Sequence, residues 1–236
     1  PYVTLEEAQA TVGTQENYDL VKRAAAEALT LVKYENVSPL SGRKIVVAGS
    51  LAEDANALSS GWKIENHSGD NILEGIQAEA GAENVTYIGD DISLIAETCD
   101  ADTTAVVVIG EASGTHEPAW GTSTLEFPDE QADLIAALGE SEAQVVAVVL
   151  MNRPYVMTDV VNACDAVLLA YRPGMTAGAE AVAEALLGLA PISGATPFQI
   201  PASMDQVLLQ REDAAKDITD PLFDYGFGIE VASFGE

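Results

Sequence analysis

The 236-residue chain carries 38 acidic residues against 10 lysines and arginines, which gives a formal charge of −28. Nucleic acid and anionic membrane surfaces are excluded as partners, because both are bound through basic patches that this sequence lacks. With 48% hydrophobic and 20% charged residues the chain can build a sizeable core. Its longest uncharged apolar run, residues 145–151, is too short to span a bilayer.

Composition leaves the origin of the acidity and the redox compartment open. The negative charge fits adaptation to high salt, where like-charge repulsion is screened, and the low count of 5 lysines slightly favours this interpretation. It also fits a soluble secreted protein with an acidic surface. Cys99 and Cys164 are the two cysteines, and neither lies in a CxxC pair. Cys164 borders an apolar run, which favours a small buried thiol there.

The first predicted elements are a polar lead-in or linker over residues 1–16 and a helix that follows it. Asn17 is a good N-cap, and the helix is predicted to continue from it towards Pro39. Apolar residues at helical spacing define the predicted buried face, namely Val21, Ala25, Leu29 and Val32.

From residue 44 onward, short apolar strands alternate with helices. The predicted strands are 44–48, 85–88, 105–109, 144–150 and 166–170, and the predicted helices are 71–80, 92–98, one opening at Pro128, 158–163, and 177–187 ended by Gly188. This alternation predicts a three-layer αβα sandwich of the α/β class with a mostly parallel sheet, in a Rossmann-like arrangement. The tail from Ala190 is expected to wrap the sandwich, so that 17–236 form one domain.

A long predicted loop of 18 residues covers 110–127, between the strand 105–109 and the helix at Pro128. Open α/β sheets bind ligands at the carboxyl ends of their strands, and long loops in compact domains are usually functional or disordered. Among its residues are Glu111 and Glu117, which bear carboxylates, His116, which bears an imidazole, and Trp120, which bears an indole. Such a set favours sugar chemistry.

Four segments carry a more specific signal when they are taken together in order. They are SGWKIENHSGDNILEGI at 60–76, VVVIGEASGTHEPAWGTSTLEFPDEQADLIAAL at 106–138, VVLMNRPYVM with DAVLLAYRPGMTAGAEAVAEALLG at 148–157 and 165–188, and SGATPFQIPASMDQV with DPLFDYGFGIEV at 193–207 and 220–231. Their order and spacing resemble the C-terminal α/β-sandwich domain of family 3 glycoside hydrolases, typified by β-glucosidases. Departures such as Asn152 in place of a usual glycine bear on substrate preference and remove none of the candidate residues.

The resemblance implies that this chain is one half of a retaining β-glucosidase-type enzyme. In that family an N-terminal barrel holds the nucleophilic aspartate, and the sandwich domain contributes the general acid/base from its long loop. Neither the barrel nor the nucleophile motif occurs in this chain, so the implied partner is the barrel domain of the same enzyme, and the chain alone is expected to be inactive. The implied substrate is a glucoside or oligosaccharide with terminal β-linked glucose. No cofactor is implied, and a periplasmic or secreted location is favoured over a cytoplasmic one.

The same resemblance assigns roles to individual residues. Glu117 is the candidate general acid/base, and Glu111 is its rival, although a position directly after Gly110 suits a residue that orders the loop. Trp62 is expected to stack on the sugar in the leaving-group subsite, since aromatic faces suit the apolar faces of pyranose rings.

Three more residues complete the candidate site. His116 and Trp120 are candidate substrate-binding residues beside Glu117, whereas Arg153 is expected to play a structural part near the site by binding loop carbonyls or a carboxylate. With His67 the only other histidine, no metal site is expected.

Two other classes of function remain to be weighed. A non-catalytic carbohydrate-binding or structural domain of the same fold would use Trp62 and Trp120 without an acid/base. A Rossmann-type nucleotide binder is disfavoured, because the first predicted parallel strand is followed by Gly49-Ser50-Leu51-Ala52 and no GxGxxG opens a helix.

Overall fold

The fold is organised by a six-stranded sheet, seen in a computed structural model that describes residues 2–59, 68–112, 124–211, 214 and 216–235. The strands are β1 Thr30–Tyr34, β2 Lys44–Ala48, β3 Val85–Gly89, β4 Thr103–Gly110, β5 Gln144–Leu150 and β6 Ala166–Leu169. Their order across the sheet is β1-β6-β5-β4-β2-β3. All neighbouring strands are parallel except β1, which pairs antiparallel with β6.

The central strands are buried on both faces. All eight residues of β4 are buried, and six of the seven in β5 are buried. Strands of this kind are rich in β-branched residues without alternation, because helices cover both sides of a parallel sheet. The predicted three-layer sandwich with a mostly parallel sheet is therefore confirmed.

Helices form the two outer layers. Their bounds are α1 Leu5–Thr11, α2 Gln15–Ala28, α3 Ile72–Ala80, α4 Ile95–Thr98, α5 Asp129–Gly139, α6 Thr158–Ala163, α7 Ala177–Leu186 and α8 Met204–Leu209. One core lies between the sheet and α3 with α7, and the other lies between the sheet and α4, α5 and α6. Among the described residues, every helix is too short or too polar to span a bilayer.

The prediction for the first helix is wrong at both of its ends. Helix α2 begins earlier, because Thr14 is the N-cap and accepts a hydrogen bond from the backbone N–H of Asn17 at 3.3 Å. The helix ends at Ala28, and Val32 lies in β1. Strand β1 pairs with β6, and this pairing satisfies backbone groups of β6 that would have no strand partner if the helix continued. Val21, assigned to the buried face, is 52% exposed.

Helix α1 lies inside the stretch predicted to be a polar lead-in. Thr4 and Glu7 form a reciprocal capping box at its start, and none of its residues is buried. A helix held by its cap alone produces no apolar periodicity, which is the pattern on which the sequence prediction depended.

Most of the remaining bounds agree with the prediction. Strands β2 and β5 and helix α6 have the predicted ends, and Gly188 follows α7 with a φ of +74°, as expected of a C′ glycine. Cys99 and Cys164 are both free and buried, and burial raises the pKa of Cys164 to about 12.

The tail after α7 lies along the β1 edge of the sheet. The backbone N–H of Ile229 donates to the carbonyl of Leu31 at 2.8 Å, and that of Gly194 donates to the carbonyl of Leu29 at 3.0 Å. Phe234 is 1% exposed, beside Tyr34. These contacts hold residues at both ends of the tail against the segment that forms β1.

Gly110 is the last residue of β4, and a substitution there tests how tightly the strand ends are packed. Its φ is +129°, and a Cβ there would overlap the carbonyl oxygen of Leu150. Backbone strain and overpacking together predict that Gly110→Ala lowers the free energy of unfolding by about 3 kcal/mol or more in a urea titration. Gly42→Ala is the control, because Gly42 has a φ of +82° with nothing within 4 Å of the position that a Cβ would take. Equal losses for the two variants would contradict this account of the packing.

Candidate active site

The candidate site is built where three adjacent parallel strands end. Glu111 follows β4, Asn152 and Arg153 come just after β5, and Arg172 comes just after β6. Since β4, β5 and β6 are parallel neighbours, their carboxyl ends lie along one edge of the sheet. The topology thereby brings these side chains together from distant parts of the sequence.

The carboxylate of Glu111 is buried between two guanidinium groups. Its Oε1 lies 2.5 Å from Nε of Arg153, and its Oε2 lies 3.3 Å from Nη2 of Arg172. The residue is 4% exposed, and its backbone N–H donates to the carbonyl of Leu150 at 2.9 Å. Both the main chain and the side chain of Glu111 are therefore fixed in place.

Arg172 connects the loops that follow three strands. Its Nη1 donates to the carbonyl of Glu111 at 2.7 Å and also to the carbonyl of Ala57. Its Nη2 donates to the carbonyl of Ala112 at 3.3 Å, and its Nε donates to Oδ1 of Asn152 at 3.0 Å. Burial lowers the pKa of Arg172 and the charge of Glu111 opposes that shift, but an arginine remains charged in either case.

Tyr155 links Glu111 to the far end of the long loop. Its ring stacks on that of Phe127 with centroids 4.4 Å apart, and the backbone N–H of Val156 donates to the carbonyl of Leu125 at 2.8 Å. Burial raises the pKa of Tyr155, and the charge of Glu111 and a hydrogen bond to it act in the same direction. The hydroxyl therefore stays protonated at neutral pH.

Gln131 in α5 fixes the point at which the long loop leaves the sheet. Its Oε1 accepts from the backbone N–H of Gly110 at 2.9 Å, and its Nε2 donates to the carbonyl of Gly110 at 3.1 Å. Both backbone groups of this glycine are thus paired with a single side chain of the helix that closes the loop.

The segment that follows β2 is attached to the loop after β6 on both sides of residues 60–67. Before them, the carbonyl of Leu58 accepts from the backbone N–H of Gly174 at 3.0 Å. After them, the backbone N–H of Asp70 donates to Oγ1 of Thr176 at 2.9 Å, and the carbonyl of Asp70 accepts from the N–H of Thr176 at 3.1 Å.

The sequence-predicted site residues divide into two groups. Glu111 and Arg153 are described and lie in direct contact. Four others, Trp62, His116, Glu117 and Trp120, lie outside the described residues. These four residues belong to the ranges 60–67 and 113–123. Ala57 lies shortly before the first range and Ala112 directly before the second, and the guanidinium of Arg172 donates to the carbonyls of both.

Sequence reasoning missed Arg172, Tyr155 and Gln131 as parts of this site. For Arg172 a signal was present, because an Arg-Pro pair follows β6 just as Arg153-Pro154 follows β5. Among the residues that the structure describes, no three histidine, cysteine, aspartate or glutamate side chains converge in a way that could hold a metal ion.

The buried ion cluster predicts a large cost for neutralising its centre. Glu111→Gln keeps the side-chain shape but leaves the guanidinium groups of Arg153 and Arg172 without their counter-charge, so stability should fall by roughly 3 kcal/mol. Glu27→Gln serves as the control, because Glu27 and Arg23 form an exposed pair at 3.8 Å, a kind that contributes little. Urea titrations of both variants provide the measurement, and a Glu111→Gln protein as stable as the wild type would contradict the described cluster.

Comparison with known proteins gives the site a family context. Residues 29–231 match the model of the glycosyl hydrolase family 3 C-terminal domain. A lysosomal β-glucosidase of Dictyostelium discoideum is 25% identical over 95% of this chain and 31% of its own length. A periplasmic β-glucosidase of Salmonella typhimurium is 24% identical over 90% of this chain and 34% of its own.

Solved structures show the same architecture. A β-glucosidase from Listeria innocua superposes with a TM-score of 0.83 over 97% of this chain and 35% of its own, at 20% identity. An exo-1,3/1,4-β-glucanase from a Pseudoalteromonas species superposes with a TM-score of 0.77 over 93% of this chain and 29% of its own, at 28% identity. The chain thus spans about a third of the length of the proteins it matches. It belongs to the family of glycosyl hydrolase family 3 C-terminal domains.

Proposed function

We propose that this chain supplies the general acid/base and part of the leaving-group subsite of a retaining β-glucosidase, which hydrolyses terminal β-linked glucose. The observation that carries the proposal is the buried cluster of Glu111, Arg153 and Arg172 at the strand ends. This cluster fixes the start of the loop that contains Glu117, which is the acid/base in this proposal.

The geometry of Glu111 supports the choice of Glu117 over its rival. A general acid must reach the glycosidic oxygen within hydrogen-bond distance. Glu111 is 4% exposed, and Arg153, Arg172 and Tyr155 already contact its carboxylate. In this proposal Glu111 anchors the loop, and Glu117 acts from within the loop.

The proposed reaction proceeds in two steps, each with its protons accounted for. First, the Glu117 carboxylic acid gives its proton to the glycosidic oxygen while a carboxylate of the barrel attacks C1, so that the C1–O bond breaks and a glycosyl-enzyme ester forms. Then the Glu117 carboxylate takes a proton from water as that water attacks C1 and releases the barrel carboxylate. The two carboxyl groups lie about 5 Å apart in retaining enzymes.

We assign the nucleophile to an N-terminal barrel domain of the same enzyme, outside the single sandwich domain that we propose for residues 17–236. The relatives named β-glucosidases are about three times as long as their match to this chain, which leaves room for such a domain. The chain by itself is then expected to be inactive.

Trp62, His116 and Trp120 are proposed to bind the substrate, with Trp62 in the leaving-group subsite. The residues that flank their two segments meet at Arg172, which supports a position for both segments at the same edge of the sheet. A location outside the cytoplasm is part of the proposal, and it follows relatives named periplasmic in two bacteria.

Chemical rescue tests the role of Glu117 in the natural full-length protein. Glu117→Ala should lower the hydrolysis of p-nitrophenyl β-glucoside by about 10²- to 10⁴-fold, the usual contribution of general acid/base catalysis. Added azide should restore turnover, because azide attacks C1 of the glycosyl-enzyme without a base and releases the barrel carboxylate, so that β-glucosyl azide forms as the product.

Glu126→Ala is the matched control, since Glu126 is an exposed glutamate close to the end of the same loop. It should hydrolyse the substrate at the wild-type rate and produce no glucosyl azide. If Glu117→Ala retains wild-type turnover, the domain is a carbohydrate-binding or structural one, and the proposal fails.

A further inference from the structure

We infer that Arg172 is a positioning residue that sets the placement of Glu111 and Ala112, from which the acid/base loop starts, relative to Ala57 in the segment after β2. The inference rests on the proposed function, since it concerns how that site is assembled. It adds a residue for which the sequence assigned no role, and it names the interaction through which that residue acts.

The guanidinium of Arg172 contacts each segment of the site that follows a central strand. It donates to the carbonyl of Ala57 in the segment after β2, to the carbonyls of Glu111 and Ala112 after β4, and to the side chain of Asn152 after β5. Three of these four acceptor residues are bound through their backbone carbonyls. Arg172 therefore fixes the path of the main chain itself.

The orientation of this guanidinium is itself determined by its neighbours. Oε2 of Glu111 lies 3.3 Å from Nη2, while Oε1 of the same carboxylate is held by Arg153. The preceding residue, Tyr171, has a φ of +55°, a strained backbone conformation for a residue with a side chain. A strained conformation of this kind is retained only where surrounding contacts stabilise it. Here it occurs directly before Arg172.

A lysine could not replace this arrangement. Its ammonium is a point charge on a flexible stem, whereas the planar guanidinium directs several donors in fixed directions at the same time. With Arg172 only 11% exposed at its side chain, Arg172→Lys would leave carbonyls of both segments without a donor in a buried place. Ala57 and Glu111 would then shift relative to each other, and a misplacement of about 1 Å can cost 10²-fold in rate.

The chain offers a matched control in Arg43, at the opposite end of the same sheet. Its Nη2 donates to the carbonyls of Ala101 and Thr103, both at 2.9 Å, and its Nε donates to Oγ1 of Thr104 at 2.9 Å. Arg43 thus binds loop carbonyls as Arg172 does, but it lies at the amino end of the parallel strands. Arg43→Lys should reproduce the loss of stability without any effect on the site.

The test compares Arg172→Lys, Arg43→Lys and Glu117→Gln in the natural full-length protein. Each is assayed with aryl β-glucosides whose leaving groups run from dinitrophenol to unsubstituted phenol. A misplaced acid slows the poor leaving groups, which need a proton, and spares the activated ones, which do not. We expect Arg172→Lys to lose about 10²-fold in kcat/KM on phenyl glucoside and much less on the dinitrophenyl glucoside.

A second variant removes the possibility that lysine merely disturbs folding. Arg172→Ala leaves a space in which free guanidinium ion can bind, so guanidinium chloride at non-denaturing concentration should restore activity on phenyl glucoside. Sodium chloride at the same ionic strength should not restore it.

The outcomes separate the inference from the proposed function. If Glu117→Gln loses kcat/KM, which reports the first step, equally on all leaving groups, the proposed function fails. If Glu117→Gln depends on the leaving group while Arg172→Lys behaves like Arg43→Lys, the proposed function stands and the role of Arg172 is overturned. A failure of guanidinium to rescue Arg172→Ala also counts against that role.

Discussion

The candidate site depends on one electrostatic constraint, which is that a buried carboxylate must be paired. Glu111 is placed in the protein interior by the buried strand β4, and it is compensated there by Arg153 and Arg172. Removing either partner of such an arrangement is costly, because it leaves a charge without both water and a counter-charge. The pairing requires β4, β5 and β6 to be neighbours, which the sheet order provides.

Because of that pairing, the residues that directly follow strongly buried parallel strands can be fixed at the edge of the sheet. The side chains of these strands are apolar. Polar contacts to the residues that follow them are therefore made through backbone groups at the strand ends. The guanidinium of Arg172 supplies donors to those backbone groups, and Gln131 does the same for Gly110. The site is thus assembled by side chains that bind main-chain carbonyls.

The acidic composition has a related consequence. The chain has 10 lysines and arginines, and several of the described ones are engaged in half-buried or buried contacts. Arg43 binds carbonyls at the amino end of the sheet, Lys22 pairs with Glu180 and Glu184, and Arg153 and Arg172 hold the site. The excess negative charge lies mostly elsewhere, on exposed residues, where salt screens it more effectively than it screens the buried cluster.

Whether an element or a contact could be predicted from the sequence depended on how far apart along the chain its interacting residues lie. Strands β2 and β5 were predicted to the residue, because continuous apolar runs bounded by polar residues are a local signal. Strand β1 was missed, since an edge strand that follows directly on a helix is decided by its pairing with distant β6. The position of Glu111 after β4 was evident, and Arg153 was expected to bind a carboxylate near the site, but its pairing with Glu111 was not specified. The contacts of Arg172 could not be predicted, because it lies 61 residues from Glu111 and binds backbone carbonyls, which every residue has.

The central claim is that this chain contributes the acid/base half of a divided active site. Its most direct test is the hydrolysis of p-nitrophenyl β-glucoside by the 236-residue chain and by the natural full-length protein, at equal molar concentration and with circular dichroism to show that the chain is folded. The account predicts turnover by the full-length protein and none by the folded chain. Turnover by the folded chain alone would contradict it, because both carboxylates would then have to lie within these residues.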